Sequence, residues 1–197
     1  MSEIAFTSVR SLRQVFFVII GVAVMVISSH CSVSIGPVPI TLQTAGVHLL
    51  ALTLPPGRAA LSVLLWITWG VLGSPVFALF TSGAEKVCGV TGGYFIGMLL
   101  AAPAMALCQF HWARFFNTMF SNKKEQEGAP LNFAASVVVG LLGSTIILLC
   151  GWFYFGWSQG YTFAFIHGVL PFLIPSVLKN LLVSYVVTRF KLEKIGA

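Results

Sequence analysis

Six apolar runs divide this chain, at about residues 15–29, 41–54, 59–80, 93–113, 133–157 and 170–190. A helix crossing the ~30 Å hydrocarbon core of a bilayer takes about 20 residues, so most of these runs are long enough to span. The pattern predicts an all-α polytopic membrane protein with six transmembrane helices, forming a single membrane domain over residues 1–197. Charge between the runs orients it. Arg10 and Arg13 precede the first run and Arg58 follows the second; Arg114, Lys123 and Lys124 follow the fourth, and Arg189, Lys191 and Lys194 close the chain. The connections after the first, third and fifth runs hold one basic residue between them, Lys86, beside Glu85. Lys and Arg accumulate in cytoplasmic loops, so both termini are expected on the cytoplasmic side.

Composition sharpens this reading. Hydrophobic residues make up 57% of the chain and charged residues 8%, against about 25% charged in soluble domains. The net charge of +6 would suggest nucleic acid in a soluble protein. Here the basic residues sit mainly at cytoplasmic ends, where anionic lipid headgroups attract them, and no nucleic-acid partner is needed. The basic, then apolar, N-terminus is reminiscent of a signal peptide, but no small-x-small cleavage site with a soluble domain follows, so a retained first helix is expected. The four cysteines form no C-x-x-C pair. Cys31 and Cys88 would share the outer end, which leaves a disulfide geometrically open; Cys108 and Cys150 are expected as small buried apolar side chains.

The breaks between runs carry the next signal. Gly36-Pro37-Val38-Pro39 joins the first two runs; its prolines lack backbone donors and favour extended geometry. Irregular backbone persists at membrane depth only where protein or water satisfies it. The second run is short and opens on Thr41, Gln43 and Thr44, so loop and helix together point to a cavity at the outer end. Gly70, Gly73 and Pro75 interrupt the third run, and Thr91-Gly92-Gly93-Tyr94 leads into the fourth. Gly89, Gly93, Gly97 and Ala101 recur at four-residue spacing. Such a stripe permits close helix packing within the bundle or a face for a partner subunit.

Enzymatic chemistry lacks its parts. The chain has no Asp, and its five Glu lie mostly near the termini or in loops, so paired-carboxylate and two-metal mechanisms lose their usual parts. No P-loop motif is present, and an ATP site is not expected. His30, His48, His111 and His167 share no metal-ligand spacing; packing or hydrogen bonding is expected for each, and no metal. An ionisable residue inside a membrane segment faces a cavity, a partner or the interface. Lys179 is such a residue: a ligand contact, a charge held against carbonyls, or a side chain snorkelling to water. Ser176 and Asn180 offer hydrogen bonds on neighbouring turns of the same side. Thr41 is either a helix cap or, with the donor and acceptor of Gln43, a ligand contact. Tyr94 offers a ring or hydroxyl to a ligand, or an interfacial anchor. For Trp66 and Trp69, packing or the lipid interface outweighs a cofactor box.

Several of these motifs are similar to those of the BioY family, the biotin-binding substrate-capture (S) subunits of energy-coupling-factor (ECF) transporters. Gly36-Pro37-Val38-Pro39-Ile40-Thr41-Leu42-Gln43-Thr44 resembles the family's G-x-V-P-I-T-L-Q-T signature. Gly70 to Ala78, Thr91-Gly92-Gly93-Tyr94 with Gly97, and Gly168 to Lys179 also fit, so the likeness runs from about Arg10 to Phe190. The resemblance implies a non-enzymatic, multi-pass subunit of the bacterial cytoplasmic membrane that captures biotin from outside. It further implies a transmembrane partner and two cytoplasmic ATPases that hydrolyse ATP, or a solitary or oligomeric form, with no covalently bound cofactor. Thr41 and Gln43 would mark the capping loop, Gly92, Gly93 and Tyr94 a second lining region, and Lys179 the last helix beside the ligand. Two positions depart from the family: Val90 stands where it has Pro, and Ser176 where it commonly has Asp. Ser176 lacks the negative charge expected to accept a hydrogen bond from the ligand ring, which opens the alternative of another small vitamin or a biotin precursor. Glu85 or Asn180 is the expected compensation for the missing acid. Lys179 and Lys86 are the cations available to the ligand's carboxylate, Lys179 being preferred.

Overall fold

The computed structural model describes residues 2–34, 36–120 and 133–192, except the side chains of residues 2–11 and 113–120. Lys123, Lys124 and Lys194, used above to orient the chain, lie outside the described residues. Helix α1 (Ser2–His30) runs into a two-stranded antiparallel hairpin, β1 (Ser32–Val33) and β2 (Ile40–Thr41), with Ser32 opposite Thr41. Then follow α2 (Gln43–Thr53), α3 (Pro56–Val71), a short α4 (Ala84–Cys88), α5 (Gly92–Phe120), α6 (Phe133–Gln159), α7 (Tyr161–Gly168) and α8 (Leu170–Phe190). Among the described residues, four stretches are long and apolar enough to cross a membrane: Leu12–His30, Gly92–Trp112, Phe133–Gln159 and Tyr161–Phe190. Large apolar side chains such as Trp157, Leu72 and Ile174 are highly exposed, a surface suited to lipid rather than water.

Local chemistry sets the boundaries. Pro56 sits in the first turn of α3, where its missing N–H would have found no partner. The third apolar run, read as one helix over 59–80 interrupted by Gly70, Gly73 and Pro75, leaves the helix after Val71. Gly73 takes a left-handed φ of 102°, and Pro75 disfavours helical backbone at the residue before it. The rest of that run is a loop ending in a 3-10 turn, Ala78–Phe80. Gly160, at φ 90°, separates α6 from α7.

The small-residue stripe of α5 packs inside the bundle. A Cβ at Gly97 would lie 2.8 Å from the Ile147 Cα of α6, and one at Gly93 would strike the Cys150 carbonyl. Behind this contact the core gathers Trp66, Phe77 and Phe95, with ring centroids 4.8 to 5.5 Å apart. Trp66 is fully buried and donates Nε1–H to the Val76 carbonyl at 3.0 Å, whereas Trp69 is exposed.

A second, polar set of contacts joins α2, α6 and α8. His48 Nε2 lies 3.1 Å from the Ser136 carbonyl, Ser136 Oγ donates to Ser184 Oγ at 2.9 Å, and Asn180 Nδ2 donates to Ser144 Oγ at 3.0 Å. All five side chains are buried, and interhelical hydrogen bonds of this kind hold bundles together in lipid. Two cysteines expected to be buried are not: Cys108 is exposed, and Cys150, which packs against Gly97 of α5, is only partly covered. Cys31 and Cys88 are exposed free thiols.

Candidate functional site

The N-terminal ends of α2, α5 and α8 meet the hairpin at one end of the bundle and enclose a cavity of about 310 Å³. Binding pockets of ~300–1,000 Å³ suit small molecules, so this one fits a compact ligand. Its base rests on the start of α2. Thr41 Oγ1 accepts the Gln43 backbone N–H at 3.2 Å and donates to Gln43 Oε1 at 3.0 Å. Gln43 Nε2 donates to Ser29 Oγ at 3.1 Å, and Ser29 Oγ donates to the Met25 carbonyl at 2.7 Å. The N-cap of α2 is Leu42; Thr41, one residue earlier at the end of β2, holds the first N–H of the helix, and Gln43 ties the hairpin to the last turn of α1.

Lys179 crosses from α8 to the same place. Its Nζ donates to the Thr41 carbonyl at 2.6 Å and approaches Thr44 Oγ1 at 3.4 Å. The side chain is only 8% exposed. Ser176 lies three residues earlier, buried, its hydroxyl making no hydrogen bond among the described residues. Tyr94, on α5, donates its hydroxyl to the Gly168 carbonyl at 2.8 Å and turns its ring to the cavity beside Phe172. A Cβ at Gly151 or Gly168 would collide with Tyr94, so those glycines make room for it.

The opposite wall is the loop after α3. Leu79 and Phe80 both take left-handed φ values, 58° and 57°, a conformation costly for non-glycine residues. Three contacts hold it: Leu79 N–H donates to Ser32 Oγ at 3.3 Å, Phe77 N–H donates to the Thr81 carbonyl at 3.0 Å, and the Phe80 ring packs on His30 at 4.1 Å. Glu85 and Lys86 of α4 form the exposed rim.

Thr41, Gln43, Glu85, Lys86, Tyr94, Ser176 and Lys179 therefore converge on one cavity. Gly92, Gly93 and Asn180 do not line it. Gly92 and Gly93 pack against Tyr154 and Cys150, shaping the wall from behind. Asn180 is 1% exposed and turned to Ser144, so the structure removes it as a replacement for an acid in the cavity. Sequence reasoning missed the apolar lining, Phe77, Phe95, Met98, Ile147 and Phe172. The signal was available for α5, since Tyr94, Phe95 and Met98 share one helical face.

Apolar walls with hydroxyls and a buried ammonium suit a small amphiphile that is bound rather than transformed. Among the described residues, no three His, Cys or acidic side chains come together as a metal site.

A family model described as the BioY family matches residues 2–194. A probable biotin transporter BioY from Pyrococcus horikoshii is 35% identical over 167 residues, covering 85% of this chain and 89% of that protein. The biotin transporter BioY of Thermotoga maritima is 30% identical over 181 residues, covering 91% and 96%. Among solved structures, a 2.1 Å crystal structure of the S-component for biotin from an ECF-type ABC transporter superposes with a TM-score of 0.76. It is 21% identical and the match covers 92% of each chain, a likeness of fold.

Proposed function

The chain belongs to the BioY family, and from that premise we propose that it takes up biotin, capturing it at the outer face of the cytoplasmic membrane. One observation carries the reading: the polar residues of the family-like motifs, far apart in sequence, surround a single cavity with a buried cation. Biotin's ureido group needs donors and acceptors, its thioether ring and aliphatic chain need apolar walls, and its carboxylate favours a cation. Thr41, Gln43, Glu85, Lys86, Tyr94, Ser176 and Lys179 are the proposed ligand-facing residues, with Gly92 and Gly93 supporting the wall.

The same reading has α1, α2, α3, α5, α6 and α8 as six crossings, both termini being cytoplasmic. Arg13, beside the start of the apolar stretch Leu12–His30, and Arg58 and Arg189, near the ends of α3 and α8 remote from the cavity, support it. With 11 and 16 residues, α2 and α3 fall short of a full span, and the hairpin and the loop after α3 complete those crossings. Energy would come from a transmembrane coupling subunit and two cytoplasmic ATPases, which alone would hydrolyse ATP, or the protein would work in a solitary or oligomeric form.

Equilibrium binding of labelled biotin to the detergent-solubilised protein, with a panel of unlabelled vitamins as competitors, tests this. Saturable binding displaced by biotin alone is expected. The unpartnered hydroxyl of Ser176 favours one alternative, a related vitamin or biotin precursor. Folded protein that ignores biotin, or is displaced selectively by another compound, would establish that alternative.

A further inference from the structure

We infer that His48 is a proton-binding site inside the membrane domain, and that it takes up a proton when the cavity takes up its anionic ligand. This rests on the biotin reading above, biotin being a carboxylate near neutral pH. His48 lies in the middle of α2, is 1% exposed and stands outside the cavity lining. Its ring is only half satisfied. Nε2 lies 3.1 Å from the Ser136 carbonyl, which can only accept, so Nε2 carries the proton of the neutral ring and Nδ1 keeps a lone pair. Nδ1 is buried with no hydrogen-bond partner among the described residues. An unpartnered buried polar atom is costly, and an ionisable side chain within a membrane bundle marks function.

Asn180 supplies the second acceptor that a protonated ring needs. Its Nδ2 donates to Ser144 Oγ, and its Oδ1 borders the same spot as His48 Nδ1. A Cβ at Gly140 of α6 would lie 2.7 Å from Nδ1 and 2.8 Å from Oδ1. A proton on Nδ1 turns one of these two acceptors into a donor for the other, so the imidazolium is held by the Ser136 carbonyl and Asn180 Oδ1.

The link to the ligand is electrostatic. Thr44, which Lys179 approaches, lies one turn before His48 on α2, and Asn180 follows Lys179 on α8. Lys179 is the charged group on this seam. The other titratable side chains described on helices packed against α2 lie elsewhere. Arg13, Cys108, His111, Tyr154, Tyr185 and Arg189 are exposed, Arg58 is in the first turn of α3, and Cys150 packs on Gly97. His30 packs on Phe80, and Tyr94 bonds Gly168. Without ligand, a proton on His48 places a second positive charge near Lys179 in a poorly screened interior. A monoanion in the cavity offsets it, whichever way round the ligand lies. Proton and ligand then favour each other's binding by the same factor. The proton comes from the water on the cavity side, so one anion and one proton enter with no net charge.

The test is calorimetric titration of biotin into the full-length protein in detergent, run in two buffers of different ionisation enthalpy, which counts the protons taken up. Net proton uptake is expected near neutral pH, and biotin affinity should rise about 3- to 10-fold from pH 8 to pH 6, where the ligand's carboxylate stays ionised. His48→Gln keeps a donor for the Ser136 carbonyl and cannot titrate; it should bind biotin with neither effect. His30→Gln, the control, should keep both. A second measurement needs no substitution at His48. With His30, His111 and His167 replaced by Gln, the imidazole nitrogen NMR signals of His48 should pass from one protonated nitrogen to two when biotin is added at constant pH. Biotin bound without proton uptake, uptake undiminished in His48→Gln, or a His48 ring unchanged by biotin would overturn the inference. Wild-type protein that binds no biotin at all would instead remove the uptake reading on which the inference stands.

Discussion

Gln43 and Ser29, fourteen residues apart, are joined by a 3.1 Å hydrogen bond from the glutamine Nε2 to the serine hydroxyl. Because Gln43 Oε1 also accepts from Thr41, the amide is fixed in rotation before any ligand arrives. Ser29 is fully buried and outside the cavity lining, yet it holds a residue that does line it. Ser29→Ala is expected to cost about 1 kcal/mol of stability and to weaken biotin binding. A double-mutant cycle with Gln43→Ala should show coupling of about 0.5 kcal/mol or more, as residues in one hydrogen-bond network do. Additive effects would separate the two residues functionally.

Tyr94 has two roles that one substitution separates. Tyr94→Phe keeps the ring facing the cavity and leaves the Gly168 carbonyl without its 2.8 Å donor. Stability should fall by about 1–3 kcal/mol, with biotin affinity close to wild type. Tyr94→Ala should lose both. A phenylalanine variant with normal stability and lost binding would assign the hydroxyl to the ligand.

The α5–α6 contact predicts a sharp contrast between two glycines. Gly97→Val must push a side chain into the Ile147 backbone, 2.8 Å from the position of its Cβ. Overpacking of this kind costs about 1–3 kcal/mol, and thermal unfolding in detergent should fall accordingly. Gly57, in the first turn of α3, has nothing within 4 Å of its Cβ position. Gly57→Ala should hold or raise the melting temperature, since alanine favours helix by roughly 0.5–1 kcal/mol.

Leu79 is half-exposed at φ 58°, where a side chain pays a steric penalty of about 1–2 kcal/mol. Leu79→Gly is therefore expected to leave stability unchanged or improve it, despite the lost apolar surface. Leu79→Val, β-branched and worse at positive φ, should lower it. The melting temperatures of the two variants check this directly; the reverse order would mean that Leu79's packing outweighs its backbone.

Much of the helical architecture was legible because a lipid-facing surface writes plainly in sequence. The apolar runs at 133–157 and 170–190 coincide with α6 (Phe133–Gln159) and α8 (Leu170–Phe190) almost to the residue, since uninterrupted apolar sequence in a bundle has little to become but helix. The run at 59–80 misled for the same reason. Residues 72–80 are apolar because they cover a cavity and pack under it, as Phe77 does beneath Trp66, and hydropathy does not distinguish such a loop from a helix. The pairing of β1 with β2 involves two residues per strand, too few to show any alternation. At the site, Thr41, Gln43, Tyr94, Ser176 and Lys179 stood out as polar groups where polarity is costly. Asn180 stood out by the same rule and serves the contact with Ser144 instead. Sequence spacing placed it on the right side of the helix but could not tell the cavity from the neighbouring helix. Ser29 escaped notice because a single serine in an apolar helix carries no distinguishing signal.

The brevity of α2 also shortens the route a solute must travel. Its 11 residues rise about 16 Å at 1.5 Å per residue, little more than half of a ~30 Å hydrocarbon layer. If α2 crosses the bilayer as proposed, a molecule seated against Thr41 and Gln43 would rest on the end of that helix, below the membrane surface. Release to the other side would then have to clear the length of one short helix rather than a whole bilayer.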